Sequence, residues 1–171
     1  MQIRFFNSLT NTVENFEPVE PGTVRMYSCG PTVYDYAHIG NFRSFLFSDL
    51  LRRFLEVAGH DVIHVMNITD VGHLTSDGDT GDDKMEVGSK RTGLTAWELA
   101  EFYTKSFQKD LGRLNILPPD LWCKATDHIK EQIEFVRDLE AKGYTYRTSD
   151  GIYFDSTRGN RYGYLARLDV E

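Results

Sequence analysis

Residues 23–41 read TVRMYSCGPTVYDYAHIGN, and the order of elements in this stretch decides the fold. Thr23-Val24-Arg25-Met26-Tyr27-Ser28 follows Pro21-Gly22 and reads as a strand, because β-branched and aromatic residues come directly after a turn signal. A short turn, Cys29-Gly30-Pro31-Thr32, leads on to a helical pattern. Phe42, Phe45, Leu46, Leu50, Phe54, Leu55 and Ala58 recur at steps of three and four, which predicts one broad apolar face. Gly59 then ends the helix as a left-handed cap residue would.

The pattern repeats downstream. Asp61 to Asn67 (DVIHVMN) is a second short apolar strand. Residues 69–93 are polar and Gly-rich and are expected to form an insert loop. Thr95-Ala96-Trp97-Glu98 is a capping box, with Leu94 and Leu99 spaced as a hydrophobic staple. The helix it opens is expected to turn Leu99, Phe102, Tyr103, Phe107, Leu111 and Leu114 inward. Pro118-Pro119 ends that region, and Leu121 to Ala125 is the third strand. Ile129, Ile133, Val136 and Leu139 mark another amphipathic helix that closes at Gly143. Tyr144 to Thr148 and Ile152 to Asp155 flank Asp150-Gly151, a hairpin signal.

Strands alternating with helices predict an α/β fold: a Rossmann-like parallel sheet of three strands, followed near residue 144 by the start of an antiparallel element. The expected division is 1–143 for the sheet and its helices and 144–171 for the added element. Ligands of open parallel sheets bind beyond the carboxyl ends of the strands. The segments that matter are therefore Ser28 to Asn41, Asn67 to Asp70 and Ala125 to His128.

Composition narrows the function classes. The 171 residues are 40% hydrophobic and 13% aromatic, enough for a core. A net charge of −7 argues against a surface that grips nucleic acid by bulk charge, though a local site is compatible with it. No apolar run is long enough to span a membrane, and the first twenty residues lack the basic-then-apolar order of a secretory leader. Cys29 and Cys123 cannot form a disulfide framework, so a cytoplasmic setting is expected. There is no GxGxxG and no GxxxxGK[ST]. Asp77 to Asp82 begins like a calcium loop but lacks the glycine at position six and the glutamate at position twelve, so it reads as a solvated acidic loop.

His38-Ile39-Gly40 lies where the first strand hands over to its helix. A helix N-terminus there offers N–H groups and a positive dipole end to phosphate. Gly40 would let a purine lie against bare backbone, His38 could donate to phosphate oxygens, and Asn41 adds a neutral donor. Taken alone, His38 reads as a surface or capping histidine, and Cys29 as a small buried residue after a strand. Thr69 and Asp70 read equally as turn caps.

The whole stretch Cys29 to Asn41 resembles the first signature of class I aminoacyl-tRNA synthetases, and specifically the cysteinyl-tRNA synthetase family. The likeness continues in Asn67-Ile68-Thr69-Asp70, Ala125-Thr126-Asp127-His128, Lys142-Gly143-Tyr144 and Tyr162 to Arg167. It implies a ligase that makes cysteinyl-adenylate from ATP and cysteine and passes the cysteinyl group to tRNA(Cys). It also implies that His38, Ile39, Gly40 and Asn41 contact ATP, with His38 and Asn41 catalytic, and that Cys29, Gly30, Thr69 and Asp70 face the cysteine. Asn41 replaces the usual final histidine of this motif, and asparagine cannot become cationic.

Within the family Cys29 matches a zinc ligand, and Zn2+ would select the substrate thiolate over the hydroxyl of serine. The remaining zinc ligands and the KMSKS lysine loop of the family have no match here. Lys84 to Lys90 (KMEVGSK) echoes KMSKS in letters but has two extra residues and a different place. Residues 72–81 look like an insertion. The resemblance therefore implies the N-terminal part of a catalytic domain, with 144–171 opening its connective insertion, and no aminoacylation is expected of the 171 residues alone. Two other readings share these motifs: the sister ligase that joins cysteine to an amino sugar in mycothiol synthesis, and a non-catalytic nucleotide-binding half-domain. A sheet left open midway is also expected to self-associate through its unpaired edge.

Overall fold

Arg4–Asn7 (β1) and Thr12–Asn15 (β2) pair antiparallel, with Arg4 opposite Asn15. The connecting turn is held by the Leu9 N–H donating to Asn7 Oδ1 at 2.9 Å and by Asn11 at a left-handed φ of 59°. This hairpin has no Asn-Gly or Asp-Gly signal and was not legible in the sequence. The computed structural model describes residues 2–72, 84–159 and 162–167. Contacts divide the chain into two units, Pro18–Asp127 and Met1–Glu17 with His128–Glu171.

In the first unit, Thr23–Ser28 (β3) leads to helix α1 (Ile39–Val57) and strand β4 (Asp61–Ile68). Helices α2 (Lys84–Thr92) and α3 (Ala96–Arg113) then precede strand β5 (Leu121–Lys124). The sheet order is β3-β4-β5 and both pairings are parallel, from Thr23 opposite Asp61 and from Val65 opposite Leu121. The Rossmann-like parallel half-sheet expected from the alternation is the one that forms. Val24, Val62, Met66 and Ile68 point to one buried face. There Phe42 and Phe45 of α1 meet Phe107 and Leu111 of α3 across Met66. The opposite face is open: Tyr27 is 63% exposed and Leu121 57%.

Strict alternation along β4 follows from this one-sided cover. Cys123 lies on the open side, where Asn67 is its β4 partner, and is half-buried. His64 lies on the covered side with Nε2 2.8 Å from Ser28 Oγ, and its Nδ1 has no partner among the described residues. Burial first, then the Arg52 charge, pushes its pKa down, so the ring is held neutral.

Several expectations about burial need correction. Helix α1 buries Phe42, Phe45, Asp49 and Leu55, while Leu46, Leu50 and Phe54 are exposed. The buried stripe is narrower than the apolar one, and a carboxylate sits inside it. Asp49 accepts hydrogen bonds from Arg53 Nε at 2.8 Å and from the Leu117 N–H at 2.9 Å, tying the loop before β5 to the helix. In α3, Phe102 and Leu114 are exposed. Leu99, Tyr103, Phe107 and Leu111, spaced by four, own the contact line, and Phe102 lies about 100° away from it on the helix.

Residues 84–92, read as loop, form α2. Met85 is buried with Val33, Ile68 and Leu99. Gly88 permits the close approach, since a Cβ there would lie 2.7 Å from Leu99 Cδ2 and 3.1 Å from the Tyr34 carbonyl oxygen. The acidic stretch Asp77 to Asp82 lies outside the described residues.

A 3-10 turn at Ala125–His128 follows β5, and the second unit continues with helix α4 (Ile129–Ala141). None of the residues of α4 is buried, including the apolar Ile129, Ile133 and Val136. Strands β6 (Thr145–Arg147) and β7 (Ile152–Phe154) form the expected antiparallel hairpin. Tyr146 stacks on Tyr153 at 5.7 Å, and Arg147 donates to Glu140 Oε1 at 2.8 Å to hold the hairpin on α4.

Candidate functional site

The carboxyl ends of β3 and β4 continue as two strands of loop that stay paired. Thr69 N–H donates to the Pro31 carbonyl at 3.0 Å, and Val33 N–H donates to the Thr69 carbonyl at 3.1 Å. This extension carries the chain past Cys29 and Gly30 towards α1. The two segments approach so closely at Gly30 that a Cβ would lie 1.7 Å from the Asn67 carbonyl oxygen. Glycine is required there by backbone contact alone.

His38 is the N-cap of α1. Its Nδ1 accepts from the Gly40 N–H at 3.0 Å, and its own N–H donates to Asn41 Oδ1 at 3.0 Å, a reciprocal capping box. An accepting Nδ1 places the proton of the neutral ring on Nε2, which leaves Nε2–H as a fixed donor. One expectation changes. The N–H groups of Gly40, Asn41 and Phe42 are already satisfied by His38, through its ring or its carbonyl oxygen, so the first turn does not present them to a ligand. A Cβ on Gly40 would lie 2.7 Å from His38 Cε1, so glycine at this position gives the imidazole its room.

A cleft of about 390 Å³ opens beside this cap, within the size range of small-molecule sites. Gly30, Pro31, Tyr36, His38 and Asn41 line it, with Phe45, Tyr103 and Phe107 among its apolar wall. Tyr36 packs edge-on against Tyr103 with centroids 5.0 Å apart. Arg91 of α2 braces the outer loop, its Nη1 2.8 Å from Asp35 Oδ2 and its Nη2 donating to the Tyr34 carbonyl at 3.3 Å. Burial pushes the Asp35 carboxyl up, but the Arg91 and Tyr36 donors outweigh it and hold it below its ordinary value.

The other site expectations separate. Cys29 is an exposed free thiol, which removes the buried-residue reading. Burial, then the neighbouring Cys29 and Cys123 thiols, raises the Tyr27 pKa, so that hydroxyl keeps its proton. Thr69 is tied at both backbone groups, and its hydroxyl accepts from Asn67 Nδ2 at 3.0 Å. Asp70 does not face the His38 cleft. It is buried and accepts from Thr126 N–H at 3.0 Å and Thr126 Oγ1 at 2.6 Å, so its carboxylate pins the 3-10 turn as a cap. It borders a second cleft of about 520 Å³ with Met85, Lys90, Trp97 and Thr126. The KMSKS-like segment also belongs to that side, since Lys90 lines the second cleft and not the first. No three His, Cys, Asp or Glu side chains converge among the described residues. Cys29 alone does not make a zinc site.

Residues 15–171 match the family described as the class I (C) tRNA synthetase catalytic domain. The chain is 58% identical over 169 residues to a protein of Burkholderia lata named cysteine–tRNA ligase 1, covering 99% of this chain and 36% of that relative. It is 54% identical over 164 residues to a cysteine–tRNA ligase of Zymomonas mobilis (96% and 32%), and 42% identical over 171 residues to one of Thermococcus kodakarensis (100% and 34%). It thus spans about a third of the length of the curated relatives it matches. Among solved structures it resembles the LeuRS of Agrobacterium radiobacter K84, in complex with tRNA and LeuAMS, at a TM-score of 0.60 and 21% identity over 77% of this chain and 16% of that one. A putative arginyl-tRNA synthetase of Campylobacter jejuni aligns at 0.55 and 12% identity, over 84% and 40%. These two likenesses concern the fold.

Proposed function

The chain belongs to the family of class I (C) tRNA synthetase catalytic domains, and from that membership we propose that the protein carrying it is a cysteine–tRNA ligase. A carboxylate oxygen of cysteine attacks the α-phosphorus of ATP and displaces pyrophosphate. A hydroxyl at the 3′ end of tRNA(Cys) then attacks the carbonyl of the adenylate and displaces AMP. The relatives are named for tRNA, which favours that acceptor over an amino sugar.

The observation that carries the reading is the His38 imidazole at the cleft. Its Nδ1 is occupied by the Gly40 N–H, so Nε2–H is a donor held in one orientation. Charge grows on the phosphate oxygens as the adenylate forms, and a donor already oriented costs no reorganisation at that moment. The macrodipole of the 19-residue helix α1 adds its positive end on the same side. Asn41, with Oδ1 used in the cap, keeps Nδ2 as a neutral donor. The turn at Cys29 and Gly30, beside Thr69, is the reading's place for cysteine. Cys29 offers one sulfur donor, and a zinc centre would draw its other donors from outside the described residues. Residues 1–143 would carry the first half of the nucleotide-binding domain and 144–171 the start of a connective insertion, which opens with the antiparallel β6–β7 hairpin. The cytoplasm is the setting this reading calls for.

Cysteine-dependent exchange of pyrophosphate into ATP by the full-length protein tests it. Exchange that rises with cysteine and is far weaker with serine is expected; exchange indifferent to cysteine overturns it. Self-association of the 171-residue chain through the unpaired edge of the sheet belongs to the same reading. Light scattering should report dimers or larger species, and a monodisperse monomer across a concentration series removes it.

A further inference from the structure

One side chain joins every part of the strip proposed to face cysteine. Asn67, on the open face of β4, accepts at Oδ1 from the Gly30 N–H at 2.9 Å and from the Tyr27 hydroxyl at 3.0 Å. Its Nδ2 donates to Thr69 Oγ1 at 3.0 Å. Both lone-pair directions of the amide oxygen are thereby used, and one of its two N–H donors. Asparagine is disfavoured in strands, yet it stands here in β4 between the buried Met66 and Ile68. Local capping does not explain it, since two of its three partners lie 37 and 40 residues away. An aspartate could accept both bonds but could not donate to Thr69, and a leucine of similar size could do neither. The amide is the one side-chain type of this length that accepts towards β3 and donates along β4 at once.

We propose that Asn67 is a positioning residue for the amino-acid substrate: it fixes the Cys29-Gly30 turn and orients the Thr69 hydroxyl as one unit. This rests on the reading that this strip holds cysteine. With Nδ2 donating to its oxygen, Thr69 Oγ1 has its own proton left to offer to a substrate carboxylate or carbonyl oxygen. Asn67 itself stands outside the residues that line the His38 cleft, and of its three partners only Gly30 lines it, so its larger influence falls on the amino acid.

The split between the two substrates is the test, measured as cysteine-dependent pyrophosphate exchange by the full-length protein. Asn67→Ala should raise the KM for cysteine about tenfold, the scale of one lost hydrogen bond, and leave the KM for ATP within about twofold. Asn67→Asp restores an acceptor for Gly30 and Tyr27 and should recover part of that loss, while Thr69→Val should resemble Asn67→Ala. Equal changes in both KM values, or a fall in kcat alone, would show a general structural role and overturn the proposal. So would an unchanged KM for cysteine in a folded Asn67→Ala protein. If Asn67→Ala unfolds, Asn67→Asp and Thr69→Val decide by the same split. An unmodified protein that shows no cysteine-dependent exchange overturns the functional reading and this proposal with it.

Discussion

His38→Asn should lower the rate of cysteine-dependent pyrophosphate exchange about 100-fold while leaving the unfolding temperature of the chain almost unchanged. The variant separates two jobs that one ring performs. As N-cap, His38 accepts from the Gly40 N–H and is completed by Asn41 Oδ1. Asparagine is among the best N-cap residues and can accept from the same turn of helix, so the cap survives. Nε2–H, on the far side of the ring, has no counterpart on the shorter side chain. Removing one oriented donor from a developing oxyanion costs about two to three orders of magnitude in kcat. His38→Ala loses both jobs, and its helix should also be weaker by about 1 kcal/mol. If His38→Asn keeps its activity within about threefold, the histidine is only a cap, and the reading loses the observation that carries it. If asparagine and alanine destabilise equally, the capping geometry has no energetic weight.

The elements that were legible in the sequence are those whose signals are local. Pro21-Gly22 before β3, the spacing of Phe42 and Phe45, the Thr95–Glu98 box and Asp150-Gly151 each act through near neighbours, and each marks an element of the structure. What escaped depends on partners distant in sequence. Helix α2 has one described large apolar side chain in the core, Met85, and packs because Gly88 admits Leu99 and the Tyr34 carbonyl, a fit no periodicity displays. The exposed Leu46, Leu50 and Phe54 obey the helical period, but nothing in a sequence says how wide a stripe three strands and one neighbouring helix can cover.

The same division runs through the site. The handover from β3 to α1 was legible from residue types alone, and His38 and Asn41 lie at it. The separation of Asp70 from the His38 cleft was not, because its partner Thr126 lies 56 residues on. Nor was the role of Arg91, which reaches Asp35 across 56 residues. Asn67 did leave a trace, since a polar amide between two buried apolar residues, Met66 and Ile68, calls for partners. That trace says a partner exists without saying which.

Gly30→Ala should cost the chain about 3 kcal/mol, the upper end for a single overpacked site. For a chain of this size that lowers the unfolding temperature by roughly 6–12 °C. The added Cβ would lie 1.7 Å from the Asn67 carbonyl oxygen and 3.0 Å from Met66 Cγ. The first obstacle is backbone, so no rotamer change relieves it, and β3 must move away from β4 just where the pairing continues into Pro31, Val33 and Thr69. That movement also breaks the Gly30 N–H bond to Asn67 Oδ1, leaving a polar pair unmade. Gly112→Ala supplies the opposite sign. This residue lies in the last turns of α3, exposed, with nothing within 4 Å of the new methyl. Alanine there removes only the entropic cost of a helical glycine and should stabilise by about 0.5–1 kcal/mol. Urea unfolding of both variants checks the pair. A Gly30→Ala chain within about 1 kcal/mol of the parent would mean that the two strands part easily at this point, and the turn carrying Cys29 would not be held as its hydrogen bonds imply.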